Sequence, residues 1–457
     1  MPKMLVFLLL VPALLLAQTK SEFQQILDRL DRVETENRGL AAEVRALRQE
    51  LAASRAAPAA ADLVEAAPSG ATAAVAAAPI DERLSTAEHQ IAEQAQSKVE
   101  ASQRLPVSLT GMLLFNAFLN SRQIGDQQDP VVTPLARGTA SAGGTLRQTV
   151  LGLRFQGPEI AGGGKVSGTL FMDFFAGSSN SLNHLLRLRV ATLGVDWKNQ
   201  SFSVGQDKPI IAPREPNSLA QVGVSPLTGA GNLWLWGPQV RFEQRFSFNE
   251  RTSVRGQIGV YETTEPAANL PAEYLSTLAT NRPALEGRFE LSHRFGEGRK
   301  IEVAPGFHVS KTHVLGASVP SNLFTLDWLI QPISNVEFSG MFFNGRNAAG
   351  LGGLRQGFTF INAYRAIPVE AAGGWGQLSW IATNRLSFNV YGGQESDRPA
   401  DLLPGQVTRN RSYAANLIYH IGQNVLAGLE ASQVRTMYLG SGNRLNNHYD
   451  VGLAYLF

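Results

Sequence analysis

Cysteine is absent from the 457 residues, which excludes disulfides, thiol catalysis, thiolate metal ligands and lipid attachment through an N-terminal cysteine. Charge is scarce. Asp, Glu, Lys and Arg make up 17% of the chain, the formal net charge is +2, and no basic stretch is interleaved with aromatics, so nucleic acid is not an expected partner. Long apolar runs are missing as well: the N-terminal run, residues 5–16, is shorter than the roughly 20 residues that span hydrocarbon and is interrupted by Pro12. A mean hydropathy of -0.08 with 44% apolar residues is unlike a helical membrane protein and implies apolar surface spread thinly along the chain. Histidine is sparse too. None of the seven forms an i, i+2 strand pair or an i, i+4 helix pair with a supporting carboxylate, and none lies in a Ser–His or acid–His motif. No metal, cofactor or enzyme activity is therefore expected, and His308, His313 and His448 beside Asp450 read as hydrogen-bonded wall or loop residues.

What is present falls into successive regimes. Residues 1–17 carry Lys3, the charge-free run and the sequence Leu15-Leu16-Ala17-Gln18, which reads as an export signal cleaved after Ala17. Over 18–55, Phe23, Ile26, Leu30, Val33, Asn37, Leu40, Val44, Leu47 and Leu51 recur at alternating three- and four-residue steps with Glu, Arg and Gln on the flanks. That narrow seam predicts an α-helical coiled coil that associates with copies of itself, with Asn37 at an a position setting register. A dimer and a trimer are both compatible with it. Residues 56–79 are mostly alanine with proline and read as a linker, and 80–104 form a second short helix with Ile80, Leu84, Ala87, Ile91, Gln94 and Lys98 on a weaker seam.

From residue 105 to 457 the period changes to two. Val254, Gly256, Ile258 and Val260 alternate with Ser253, Arg255 and Gln257, and Val240, Phe242 and Phe246 alternate with Gln239, Arg241, Glu243 and Arg245. Segments of this length with one apolar and one polar face predict an all-β, transmembrane antiparallel barrel whose closure satisfies every backbone amide. About sixteen strands are expected, near 107–119, 146–156, 164–175, 185–197, 200–207, 233–247, 251–262, 283–296, 299–311, 322–332, 335–345, 373–382, 385–396, 410–421, 424–437 and 446–457. Tight connections at Lys198-Asn199, Asn249-Glu250, Gly296-Glu297-Gly298, Ser334-Asn335 and Gly422-Gln423 alternate with longer ones. Tight turns are expected on the periplasmic side, which puts the coil there too. In the final strand Tyr449, Val451, Leu453, Tyr455 and Phe457 hold every second position, an ending expected to act as the signal for the barrel-assembly machinery.

The export signal, heptad segment, Ala/Pro linker, period-two strands and terminal Phe457, with stretches such as Arg187-Leu188-Arg189 and Val204-Gly205-Gln206-Asp207, resemble the trimeric porins with an N-terminal coiled coil, the DcaP-like family. The resemblance implies a homotrimer in the bacterial outer membrane with one pore per subunit and passive uptake of small, often anionic, solutes.

The polar phase of the strands names the residues expected to face the lumen: Arg154, Lys165, Arg187, Arg189, Arg241, Arg245, Arg255, Arg288 and Arg294, with Asp173, Glu243, Glu286, Glu290, Glu302, Asp327, Glu337 and Glu395 as the acids. Cross-strand pairing is expected for much of this charge. A surplus around Arg187, Arg189 and Arg241 points to small anionic or neutral solutes. The stretch Lys208–Asn232, with Arg214 and Glu215, is long enough to fold back as a constriction. Gly350–Gly357 reads as flexible surface. A competing reading makes the barrel a closed membrane anchor and the coil an envelope tether.

Overall fold

The computed structural model describes residues 107–122, 130–136, 138–177, 184–266, 270–278 and 281–457. The export signal, coil, linker and short helix expected over 1–104 lie outside the described residues.

The chain alternates side chains across a single sheet. Its strands are β1 (Val107–Asn120), β2 (Ser141–Thr145), β3 (Val150–Ile160), β4 (Gly164–Ala176), β5 (Leu185–Asp196), β6 (Gln200–Asp207), β7 (Gly237–Ser247), β8 (Thr252–Thr264), β9 (Asn281–Gly296) and β10 (Arg299–Val314). They continue as β11 (Ala317–Ile333), β12 (Val336–Arg346), β13 (Phe358–Asn362), β14 (Arg365–Pro368), β15 (Glu370–Thr383), β16 (Leu386–Asp397), β17 (Val407–His420), β18 (Val425–Tyr438) and β19 (Gly442–Leu456). Each wall strand pairs antiparallel with the next, and β19 returns to β1 with Met112 opposite Leu456, closing the barrel. β2 and β3 lie end to end against β1, with Asn116 opposite Thr145 and Val107 opposite Phe155. The seventeen segments of the sheet therefore occupy sixteen wall positions. Closure leaves no open edge, so the ladder satisfies the wall's own backbone.

Alternation decides which way each side chain points. On β19, Tyr449, Val451, Leu453 and Tyr455 are exposed outward while Asn446, His448 and Asp450 are buried inward. The apolar belt continues around the outside through Phe289, Leu291, Phe324, Phe342, Leu378, Val390 and Leu429. Toward the rim with the tight turns it ends in aromatic pairs, Trp328 on Phe338 at 6.0 Å and Trp380 on Phe388 at 5.5 Å between ring centroids.

Three expectations need correction. β10 and β11 run to Val314 and from Ala317, joined by the two residues Leu315 and Gly316, with Leu315 at φ 52°. The strands expected near 299–311 and 322–332 left a longer connection there; instead Pro320, opposite Lys311, sits within β11. The hairpin β13–β14 was not expected at all. Gly350–Gly357 is not flexible surface: Leu351 and Leu354 are buried, the Leu354 N–H donates to Glu395 at 2.8 Å, and the Trp234 N–H donates to the Leu351 carbonyl at 2.9 Å. Its glycines serve close packing inside the barrel, since a Cβ on Gly353 would lie 2.7 Å from Glu395 Oε1.

Gly205 on β6 is the position where the wall most needs glycine. Its φ is 142°, and a Cβ there would collide with the Ala191 carbonyl oxygen on β5. Gly205→Val is expected to prevent closure between β5 and β6. The folded, SDS-resistant species on unheated gels should be lost, and wild-type yields of that species would refute the assignment.

Candidate pore lining and constriction

Residues 208–236, between β6 and β7, run inside the barrel. The segment carries Pro209, Pro213, Pro216 and Pro226, which hold it out of regular structure, and large apolar groups that must leave water. Ile210, Ile211, Leu227, Leu233 and Trp234 are buried. Ile211, Leu227 and Leu233 share a core with wall residues that include Tyr261, Met341, Phe343, Trp375 and Tyr391.

An irregular backbone inside a barrel must find its hydrogen bonds on the wall's inner side chains. Gln148 carries three of them: its Oε1 accepts the Val222 and Gly223 N–H groups at 2.6 and 2.7 Å, and its Nε2 donates to the Ala220 carbonyl at 2.7 Å. Asn116 donates to the Leu219 carbonyl at 2.9 Å, Asn416 to that of Asn217 at 2.8 Å, and Asn410 to that of Gly229 at 3.1 Å. The Asn217 N–H donates to Gln377 at 2.6 Å and the Ile210 N–H to Glu286 at 2.7 Å, with the other Glu286 oxygen against His308. The segment is thereby fastened to strands on every side of the lumen.

Charge divides into two regions. One is a continuous network along β5–β11. Arg245 contacts Asp196 and Glu243, Arg255 contacts Glu243 and Glu290, and Arg288 contacts Glu290 and, with two bonds of 2.7 and 2.8 Å, Asp327. Arg214 joins it from the inward segment, 2.6 Å from Glu302 and 3.2 Å from Asp327, and Lys300 lies 3.0 Å from Glu302. Positive and negative groups alternate along the chain. The adjacent residue Glu215 turns away from Arg214 and pairs with Lys208 at 2.7 Å and with the Ser225 hydroxyl at 2.7 Å.

The second region lies around β5. Arg187 holds Asp173 through two bonds of 3.1 and 2.6 Å and also donates to the Gly223 carbonyl, while Arg189 is 3.7 Å from the same carboxylate. Arg147 donates to the Phe175 carbonyl at 3.0 Å. The turn at 146–149, which splits the strand opposite β1, brings both Arg147 and Gln148 inside. Aromatic faces complete the set: Arg187 and Arg189 lie 5.2 and 4.8 Å from the Trp236 ring centre, and Arg147 lies 4.5 Å from that of Phe175. Arg241 is 3.4 Å from Asp207. Among the described residues of this region Arg187, Arg189, Lys208 and Arg241 outnumber Asp173, Asp207 and Glu215. A cavity of about 610 Å³ opens beside Arg189 and Glu215, with Ser379, Asn389, Glu337 and Arg385 in its walls.

Sequence reasoning placed Arg187, Arg189, Arg241, Arg245, Arg255, Arg288, Glu243 and Asp327 on the polar face, and in the structure each contacts another inner-wall charge. It passed over the carboxamides Asn116, Gln148, Gln377, Asn410 and Asn416. Strand phase was the available signal for Asn116, Gln377, Asn410 and Asn416; Gln148 had none, because it lies in the break between β2 and β3. The expected assembly ending is outward-facing throughout, and the Phe457 N–H and carbonyl bond to Gly111.

Burial would raise the Glu215 carboxyl, yet Lys208, the Ser225 hydroxyl and Arg189 outweigh it and hold the group below the ordinary carboxylate range. A depressed value stabilises the fold above the unfolded carboxylate pKa of about 4.3, and that contribution disappears as pH falls through the folded value. Unfolding midpoints measured from pH 7 down to pH 3 should therefore fall less for Glu215→Gln than for wild type; parallel curves would contradict this.

The Arg288–Asp327 pair is almost fully enclosed, each side chain 1% exposed. Arg288→Met should cost about 3–5 kcal/mol by leaving the enclosed Asp327 with only its longer contact to Arg214, whereas Arg245→Gln, at a side chain 42% exposed, should cost under about 1 kcal/mol. Denaturant unfolding in lipid vesicles measures both, and equal losses would refute the distinction.

No protein-family model matches the chain, and no curated protein matches its sequence. Among solved structures, the outer membrane channel DcaP of Acinetobacter baumannii is similar over 77% of this chain and 97% of that one, with a TM-score of 0.61 at 16% identity. The loop L8 deletion mutant of OmpT, an outer membrane protein of Vibrio cholerae, gives 0.48 at 10% identity over 77% and 99%. OprB of Pseudomonas putida gives 0.49 at 9% identity over 80% and 97%. The DcaP match establishes the fold, and it is the fold that the strand pattern and the chain's organisation resembled.

Proposed function

We propose that the protein is an outer-membrane porin for passive diffusion of small hydrophilic solutes, with a preference for carboxylates or phosphates. The observation that carries this reading is a closed barrel, apolar outside and polar within, whose inward segment meets the wall beside an excess of guanidinium groups at Arg187 and Arg189. Guanidinium is weakly hydrated and matches planar or tetrahedral oxyanions with two bonds, so such groups lower the entry barrier for anions. The Arg187 and Arg189 side chains are 27% and 14% exposed and Glu215 beside them is 34% exposed, so the sign of the preference rests on the number of cations around β5 and not on exposure. Arg214 and Glu215 would set the width of the eyelet by where their ion pairs hold the segment. The N-terminal coil would lie in the periplasm and bring three barrels together, and the C-terminal ending would guide assembly.

The apolar core shared by residues 208–236 and the wall favours a second reading, in which the barrel is closed and serves to anchor an envelope tether. Planar-bilayer recording separates the two. The porin reading expects stepwise conductance and an anion-selective reversal potential under a salt gradient. Arg187→Gln combined with Arg189→Gln should lower the anion-to-cation permeability ratio by roughly tenfold at low salt and less at high salt. Cation selectivity in the wild type would overturn the preference, and folded protein without conductance would favour the tether.

A further inference from the structure

Outward-facing arginines gather in one sector of the wall. On β12–β18, at the rim away from the aromatic pairs, Arg346, Arg398, Arg409, Arg411 and Arg435 share the strand face that carries Phe342, Val390, Tyr413 and Leu429. The single carboxylate on the outward face of these strands among the described residues is Glu370, which bridges Arg346 at 3.0 Å and Arg398 at 2.9 Å. The other three have neutral partners: Arg409 donates to the Ser396 hydroxyl at 3.2 Å, Arg411 to Gln394, and Arg435 to Gln433 at 3.1 Å. Arg411 and Arg435 are also directly opposite each other on β17 and β18. Like charges in that relation repel, and the arrangement is favourable only with an anion between them. A groove of about 690 Å³ is lined by Arg346, Arg398 and Arg409 together with the small residue Ala372.

We propose that this sector binds the phosphate groups of a phosphorylated glycolipid in the outer leaflet. The inference rests on the outer-membrane reading above. A lipid is favoured over a soluble anion because Arg411 stands one strand step from the apolar belt: Tyr413 follows it on the same face, and on β18 the face of Arg435 continues through Gln433 and Ala431 to Leu429. A phosphate held by arginines there leaves its acyl chains against Val390, Leu429 and their neighbours. The inner arginines serve a different purpose, because their charge is largely met by wall carboxylates.

The test uses the full-length protein in nanodiscs of zwitterionic phospholipid, titrated with lipopolysaccharide, with dephosphorylated lipopolysaccharide and with inorganic phosphate, and read by native mass spectrometry. Wild type should bind the phosphorylated glycolipid and neither of the other probes appreciably. The triple variant Arg409→Gln, Arg411→Gln, Arg435→Gln should weaken that binding by roughly a hundredfold, while Lys311→Gln, an outward lysine on β10, should leave it unchanged. Arg411→Gln alone removes a like-charge opposition, so it should fold at least as well as wild type and still bind several-fold more weakly; this keeps the test intact where the triple variant does not fold. Equal binding of both glycolipids, equal binding of inorganic phosphate, or a change in oligomeric state with glycolipid affinity intact would overturn the proposal. Conductance of the same preparation is independent: a conducting barrel that ignores the glycolipid refutes this site and leaves the channel standing.

Discussion

The structure depends on one requirement: an irregular peptide segment inside a closed sheet must have its amides and carbonyls met by the side chains around it. The wall ladder is saturated by its own strands, so residues 208–236 cannot join it. A buried amide or carbonyl without a partner costs about 1–3 kcal/mol, while a made bond contributes about 0.5–1.5 kcal/mol. Absence of a bond is therefore the more damaging event. The wall answers with carboxamides, which offer donors and an acceptor on one flexible arm. Gln148 uses both ends, and its own position is secured by the turn that interrupts the strand opposite β1. The break in the ladder and the path of the segment are thus linked features.

The same requirement explains why arginine is so common within. Arg187 reaches the Gly223 carbonyl while holding Asp173, and Arg214 reaches wall carboxylates from the segment itself. Five donors in a fixed fork let one side chain serve a carboxylate and a backbone carbonyl together. Along β7–β11 the fork binds acid to base until little unbalanced charge is left, and that stretch of wall is stiffened electrostatically. Around β5, two arginines share Asp173, and aromatic faces of Trp236 and Phe175 supply the remaining stabilisation.

Much of the wall was legible in the chain because the physical code has period two. β6 lies at 200–207 as read, and the tight turn at Ser334-Asn335 is where it was expected. Failures came where local chemistry pointed elsewhere. Pro320 signals a break but occupies a strand, and Gly350–Gly357 signals surface but is packed against Glu395 and Trp234. Short strands β2 and β13 carry too few residues to show a period. For the inner charges, strand phase marks the face but not the partner. Arg214 and Glu215 are neighbours in sequence, yet they are drawn to different carboxylates and cations by where the segment passes the wall. Partner choice is set by the path of the chain through three dimensions, which alternation does not encode.

The two faces of the wall treat the same residue type in opposite ways. Inside, guanidinium is matched by carboxylates that the chain itself provides, because an unmatched charge in an enclosed site is costly. Outside, on β12–β18, one carboxylate accompanies five arginines, and two of them oppose each other across a ladder. Folding stability alone would favour glutamate at one of those positions. A surface that withholds the internal counterion relies on its surroundings to provide one, and under the outer-membrane reading proposed above those surroundings are lipid headgroups. On the proposed reading, the inner face leaves a limited excess of positive charge around β5, and the outer face has its excess neutralised by lipid phosphate.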